Sequence, residues 1–550
     1  MGDGLSRSER GLILIVLIAW LLPGLLGHEP WKPDEAYTFG LVRHVIDSGD
    51  WVVPSLAGRP FMEKPPLYFV AAALNSRSFD AWLSPPDAAR LTSAWFLVAM
   101  LGFVALAARR LYGAGAGWYA ALLLVATFGL LVRAHQLLTD IAMLSGIAMA
   151  FLGLTLLRER WLVGGVALGC GAGIAFLSKG MLGPGLIGSG ALVLLAHPAW
   201  RRREVLFGYA IASLVALPWL LIWPWKLYQR SPELFGRWFW INNIGRFTGR
   251  AHLGPRATPL FYPRLLLWAG LPTLPLALYA LVRAGWRATW LDTRFFLPLS
   301  QFLVMLLVLS LAHDARALYA LPLYVPLAVL AVPGLRALST TAARRLGAGA
   351  SLFFGLLIGL VWLAWGVAVG EWPPGLYHWL SQRHPVWAAV ADWRWLVPAL
   401  AMSALWLWLA SRRMGNAALH VAMSLAAGVA TVWLLAMTLL LPVIDAGKSY
   451  RSMCESLGRA LPAHYHCISG VSLGEPQRAL FEYYLGLHPR ACSAMRLDEQ
   501  CELVLVQEQD LPPEARHADF GRLLWRGHRP GDRRERYALY RLSDAGSASE

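Results

Sequence analysis

Residues 11–27 read GLILIVLIAWLLPGLLG, an uncharged run about as long as a bilayer crossing requires. It is the first of a series. Residues 296–312 (FLPLSQFLVMLLVLSLA) and 417–441 (AALHVAMSLAAGVATVWLLAMTLLL) have the same character, and such runs recur as far as residue 441. Of the 550 residues, 57% are hydrophobic and only 15% are charged, whereas soluble domains carry about a quarter charged residues. The chain therefore reads as a polytopic α-helical membrane protein. A nucleic-acid binder, a coiled coil and a secreted disulfide miniprotein are excluded. The net charge of +16 (49 minus 33) fits loop arginines and contacts with anionic lipid phosphates, with no nucleic-acid partner.

Hydropathy predicts about 13 spans: 11–27, 88–108, 113–132, 141–157, 161–178, 181–197, 205–225, 262–282, 295–312, 318–334, 348–370, 391–410 and 417–441. Every second loop is short and basic, carrying Arg109/Arg110, Arg158/Arg160, Arg201/Arg202/Arg203, Arg283/Arg287/Arg294, Arg344/Arg345 and Arg412/Arg413. With Arg7 and Arg10 inside, the positive-inside rule puts the alternate loops, and everything after residue 441, outside the cytoplasm. The first run lacks a small-residue cleavage site and is expected to stay as a span.

Composition changes at residue 442. Residues 1–441 form the membrane domain with its outer loops, and 442–550 alternate like a small soluble α/β domain. Gly474-Glu475-Pro476 opens a predicted helix that Gly486 closes. Residues 503–506 (LVLV) and 537–540 (YALY) read as strands. Four of the five cysteines, Cys454, Cys467, Cys492 and Cys501, lie in this domain, which predicts at least one disulfide in an oxidising compartment.

The outer loops carry clustered ionisable groups, where charge near a membrane is costly and usually functional. The first loop holds Trp31-Lys32-Pro33-Asp34-Glu35-Ala36-Tyr37, then Ser48-Gly49-Asp50-Trp51-Val52-Val53-Pro54, then Glu63-Lys64-Pro65-Pro66-Leu67-Tyr68. Asp34 could simply cap a following helix. Two adjacent carboxylates point in different directions, however, so Asp34 can do chemistry while Glu35 holds structure.

This combination of Asp-Glu, SGDW and EKPP resembles the polyprenyl-phosphate-sugar-dependent glycosyltransferases of the GT-C class. The lipid A aminoarabinose transferases and their relatives, which include the protein O-mannosyltransferases, are the nearest likeness. The resemblance covers the whole chain and implies a GT-C membrane fold with a C-terminal α/β domain on the periplasmic side of a bacterial inner membrane. It departs at one point: those transferases usually continue the Asp-Glu with x-Arg, and here Ala36 is followed by Tyr37.

The resemblance implies Asp34 and Asp140 as catalytic carboxylates, with Glu35 and Lys179 beside them. Asp140 opens the fourth span and could equally be its cap; Lys179 precedes Gly180 near the outer surface and could equally snorkel to headgroups. Arg133 and His135 approach the same region. Lys64, Arg246, Arg256, Arg316 and Tyr319 are the candidate phosphate ligands. Arg316 and Tyr319, three apart, share a face if a helix has begun. Glu63 and His252 could hold a divalent cation such as zinc; no other cofactor is expected.

The implied reaction is inverting transfer of a sugar, 4-amino-4-deoxy-L-arabinose among the candidates, from undecaprenyl phosphate to an envelope acceptor such as lipid A. A protein O-mannosyltransferase or other glycan-modifying transferase is the alternative. A membrane transporter is the non-enzyme alternative, but it would put its charges on broken helices at the midplane, not in loops on one side.

Overall fold

The computed structural model describes residues 5–251, 255–383, 393–412, 414–493, 500–512, 514 and 520–542. Among the described residues, nine helices are long and apolar enough to cross a membrane, or up to eleven if each of two bent pairs is one span. The expected thirteen are thus not all regular spans. Helix α1 (Arg7–Leu21) is 15 residues long and Leu182–Leu194 is 13. The runs at 113–132 and 262–282 each break into two helices, bent by 75° and 98°. In the second, Leu271-Pro272 separates the two pieces, and proline cannot donate the missing backbone bond.

The helices Thr139–Leu156, Ala317–Arg336 and Ala417–Ala436 are almost wholly buried within the protein, whereas Arg203–Arg230 and Thr340–Gly370 leave most of their apolar side chains exposed. Burial inside and apolar exposure outside is the pattern of a bundle surrounded by lipid. Helices 139–156 and 161–179 approach closely along a seam of small residues. A Cβ on Gly153 would lie 2.6 Å from the Leu168 backbone nitrogen, and one on Gly171 would lie 2.5 Å from that of Ala150.

The two ends of the bundle differ. At one, Arg110 pairs with Glu159, Arg158 Nη1 donates to Thr293 Oγ1 (2.8 Å), and Arg336 Nη1 donates to the Tyr112 carbonyl (2.8 Å). At the other lie helix α2 (Asp34–Ser48), helix α3 (Leu67–Phe79), the N-terminus of helix α4 (Pro85–Tyr112) and the C-terminal module. The SGDW motif builds this end rather than touching the cavity. Gly49 ends α2 in the left-handed conformation (φ 70°), and the Asp50 carboxylate accepts from the Val52 (2.9 Å) and Val53 (3.3 Å) amides, turning the chain back.

The C-terminal module carries a five-stranded sheet in the order 490–492, 468–471, 503–507, 532–541, 522–529. The first three strands are parallel and the last two join antiparallel, with Ile468 opposite Leu503 and Leu505 opposite Leu539. The predicted helix runs Glu475–Leu485, from Gly474 to a left-handed Gly486. A disulfide joins Cys467 to Cys501, while Cys454 is a buried free thiol. Helix α2 beds into this module: Ala36 packs with Tyr450, Met453, Leu457, Leu480 and Phe481, and the Phe39 ring meets the Tyr483 ring edge-on at 4.9 Å.

Candidate active site

Asp34 is the first residue of α2, and no side chain caps that helix. Its carboxylate is therefore spared from capping and turns to Tyr37, one turn on, whose hydroxyl donates to Oδ1 at 2.8 Å. Lys64 Nζ donates to the same phenol oxygen at 2.6 Å. Pro65 and Pro66 follow Lys64 and lead straight into α3, so the EKPP motif sets the lysine at a rigid helix entrance. Arg133 Nη1 stands 3.9 Å from Asp34 Oδ2. Glu35 points the other way: buried behind the site, it accepts from Arg90 Nε (3.0 Å) and from the backbone amides of Leu137 (3.0 Å) and Trp31 (3.2 Å).

Asp34, Tyr37, Glu63 and Lys64 line a cavity of about 350 Å³ together with Lys179, Arg246, Asp314, Arg316 and Tyr319. Apolar residues, Leu182, Val308, Leu309 and Leu318 among them, line the remainder. Asp140 lies at the start of its helix, again with no side-chain cap, and both its oxygens accept from Lys179 Nζ at 2.7 Å. That ammonium also stands 5.0 Å from the Tyr319 ring. Arg316 precedes a 3-10 turn (Ala317–Leu323) whose period of three keeps it in step with Tyr319. Among the described residues Arg316 makes no ion pair.

Arg246 is held at both edges, by Glu63 Oε2 (3.1 Å from Nη1) and by Asp314 Oδ2 (3.5 Å from Nε). Glu63 is thus engaged by a guanidinium, and His252 lies outside the described residues. Among the described residues no group of three or more His, Cys, Asp or Glu side chains could hold a metal ion. Arg256 is exposed, pairs its backbone with Asp314, and does not line the cavity. His135 is buried away from it, bonded to the Leu131 and Trp20 carbonyls.

Burial raises the Asp34 carboxyl, but the Lys64 ammonium, the Tyr37 hydroxyl and the charges of Lys179 and Arg133 outweigh it, leaving a carboxylate held below the ordinary aspartate range. Lys64 goes the opposite way. Burial, then repulsion from Lys179, brings its ammonium down to about 8 against the pull of Asp140, Asp34 and Glu63. The motifs missed three residues. Tyr37 lies inside a motif that assigns it no role, Asp314 is recruited by a strand-like contact with Arg256, and Glu475, outside the cavity lining, arrives from the C-terminal module. Burial and the Glu63 charge raise the Glu475 carboxyl, with Lys64 and Arg246 opposing.

A family model described as dolichyl-phosphate-mannose-protein mannosyltransferase matches residues 63–225. An undecaprenyl phosphate-alpha-4-amino-4-deoxy-L-arabinose arabinosyl transferase from Sodalis glossinidius is 31% identical over 390 residues, 66% of this chain and 67% of that protein. The like-named protein of Pseudomonas paraeruginosa is 32% identical over 336 residues, 59% of each chain. The chain thus spans two thirds of the first relative and less of the second. The crystal structure of ArnT from Cupriavidus metallidurans bound to undecaprenyl phosphate shares the fold, with a TM-score of 0.70 at 17% identity over the full length of both chains. The archaeal oligosaccharyltransferase AglB of Archaeoglobus fulgidus is more distant, with a TM-score of 0.50 at 12% identity over 92% of this chain and 70% of that one. With its GT-C fold and the Sodalis match, the chain belongs to the family of undecaprenyl phosphate-aminoarabinose arabinosyl transferases, which are glycosyltransferases.

Proposed function

We propose that the chain transfers a sugar, 4-amino-4-deoxy-L-arabinose in the first instance, from undecaprenyl phosphate to a lipid A phosphate at the periplasmic face of the inner membrane. The observation that carries this reading is an ionised Asp34 beside a cavity lined by Lys64, Arg246, Arg316 and Tyr319. Sugar transfer from a polyprenyl phosphate breaks the C1–O bond to phosphate while the acceptor oxygen bonds to C1. Negative charge grows on the leaving phosphate, and the fixed cations stabilise it there. The apolar wall suits the first isoprene units. A lipid A phosphate is already ionised, so Asp34 orients it and offsets positive charge on the sugar ring. A hydroxyl acceptor would instead give its proton to Asp34. One displacement with no covalent enzyme intermediate inverts C1.

The arginine loops at the far end of the bundle support the periplasmic orientation, through the positive-inside rule. The family model's match to mannosyltransferases favours one second reading, transfer to a protein hydroxyl. Mass spectrometry of lipid A and of envelope proteins, from cells with and without the chain, separates the two. An aminoarabinose-sized increment on lipid A is expected; glycosylated proteins with unmodified lipid A would replace the first reading with the second.

A further inference from the structure

The segment His28–Pro33, between α1 and Asp34, is held along its length. Asp445 Oδ1 accepts from the Glu29 amide (3.0 Å) and from Trp31 Nε1 (2.8 Å). The Glu29 carboxylate accepts from Arg451 Nη1 and from the Tyr484 hydroxyl, each at 2.9 Å. The Glu29 carbonyl accepts from Arg90 Nη2 at 2.9 Å. All but Arg90 of these partners belong to residues 442–542. The last hold is the tightest: Lys32 Nζ donates to Glu535 Oε1 at 2.6 Å. Glu535 is 4% exposed, and the Tyr450 hydroxyl (2.5 Å), Gln477 Nε2 (3.0 Å) and the Tyr537 hydroxyl converge on the same carboxylate.

Only Pro33, with its fixed φ, separates Lys32 from Asp34. On the other side Glu35 is locked by Arg90. Asp34 is therefore bracketed by two anchors that each end on a buried carboxylate, and the upstream one is supplied by the C-terminal module. We propose that Lys32 and Glu535 are a positioning pair through which the C-terminal module aims the Asp34 carboxylate at the cavity, an assignment that rests on the transfer reading above. Neither residue lines the cavity, so the pair acts through the backbone of residues 32–35 and not by touching substrate.

Full-length protein in lipid nanodiscs tests this, with undecaprenyl phosphate-aminoarabinose as donor and lipid A as acceptor. Lys32→Met is expected to lower kcat roughly 10- to 100-fold while donor KM stays within about twofold, the signature of misplaced chemistry rather than lost binding. Lys32→Arg should restore most of the rate. Glu535→Gln should resemble Lys32→Met, and the double variant should be no worse than the poorer single one, because the two act as a unit. Wild-type kcat in Lys32→Met, or a change confined to KM, overturns the proposal. Hydrogen exchange without substrate provides a readout independent of turnover: amides of residues 34–41 should exchange faster in Lys32→Met, with those of 417–436 unchanged. If the wild type transfers no sugar from any polyprenyl phosphate, the transfer reading fails. Unaltered exchange at 34–41 would then sink the positioning pair separately.

Discussion

Asp34, Tyr37 and Lys64 form a relay of two hydrogen bonds, 2.8 and 2.6 Å long, in which one phenol links the carboxylate to the cation. The relay makes pH a direct probe. Free Lys64 loses its proton near pH 8, so donor recognition is complete below that value and fades above it. Donor kcat/KM should fall about tenfold per pH unit beyond 8. Lys64→Arg should abolish this limb, because a guanidinium stays charged; persistence of the limb in Lys64→Arg would assign it to another group. Lys64→Ala should cost on the order of 10- to 100-fold in donor kcat/KM, from the loss of one hydrogen bond to a charged group. Asp34→Asn keeps the shape but removes the charge. Its kcat should drop on the order of 10²- to 10⁴-fold in protein that still folds and inserts into the membrane, and normal turnover would remove Asp34 from the chemistry. Asp34 and Lys64 were legible because each sits in a short motif next to a helix entrance. Asp314 and Glu475 were not. What brings them near Arg246 and Glu63 is contact between distant segments, which has no local pattern.

Elements carry the next level of specificity. Gly40 lets α2 lie directly on the helix Glu475–Leu485: a Cβ there would meet Leu56 Cδ1 at 2.5 Å and Ala479 Cβ at 2.9 Å. Gly40→Ala should destabilise this docking by about 1–3 kcal/mol, the usual cost of overpacking, measurable as a lower melting temperature in detergent. The buried pair between helices 139–156 and 161–179 gives a second test. Lys179→Met leaves Asp140 unpaired at 0% side-chain exposure, and loss of one partner of a buried pair costs about 3–5 kcal/mol. Lys179→Met/Asp140→Leu should recover much of the lost stability, though not activity; failure to do so would show that the destabilisation has another source. Hydropathy found every long helix but could not register the 75° and 98° bends, because bending leaves composition unchanged. It also counted Leu182–Leu194 as a full span, although the helix stops after 13 residues. The soluble helix Glu475–Leu485 was legible to within a residue or two, since Pro at its first turn and Gly after its last mark both ends.

For the whole molecule, the alternation of arginine loops gives an orientation that thiol chemistry can check. In intact cells the module after residue 441 should be reached by reagents from the periplasmic side. Two thiols, those of Cys467 and Cys501, should become reactive only after reduction. Labelling of this module exclusively from the cytoplasm would invert the topology and with it the proposed acceptor. The sheet-containing C-terminal region was legible from its change of composition at residue 442. Its hold on the segment before Asp34 was not, because Glu29, Lys32, Asp445 and Glu535 are ordinary surface residue types until the fold pairs them, and only Glu535 ends up buried.

The Lys32–Glu535 bond joins residues 503 positions apart, which gives the molecule a temporal order. Lys32 leaves the ribosome 503 residues ahead of its partner. At about 5–20 residues per second, the interval is on the order of half a minute or more. During it the membrane helices can insert, but the aspartate has only one of its two anchors. If the positioning pair acts as proposed, a nascent chain that meets the lipid-linked sugar in this interval aims at it poorly, and the full transfer rate waits until the strand that carries Glu535 is made and docked.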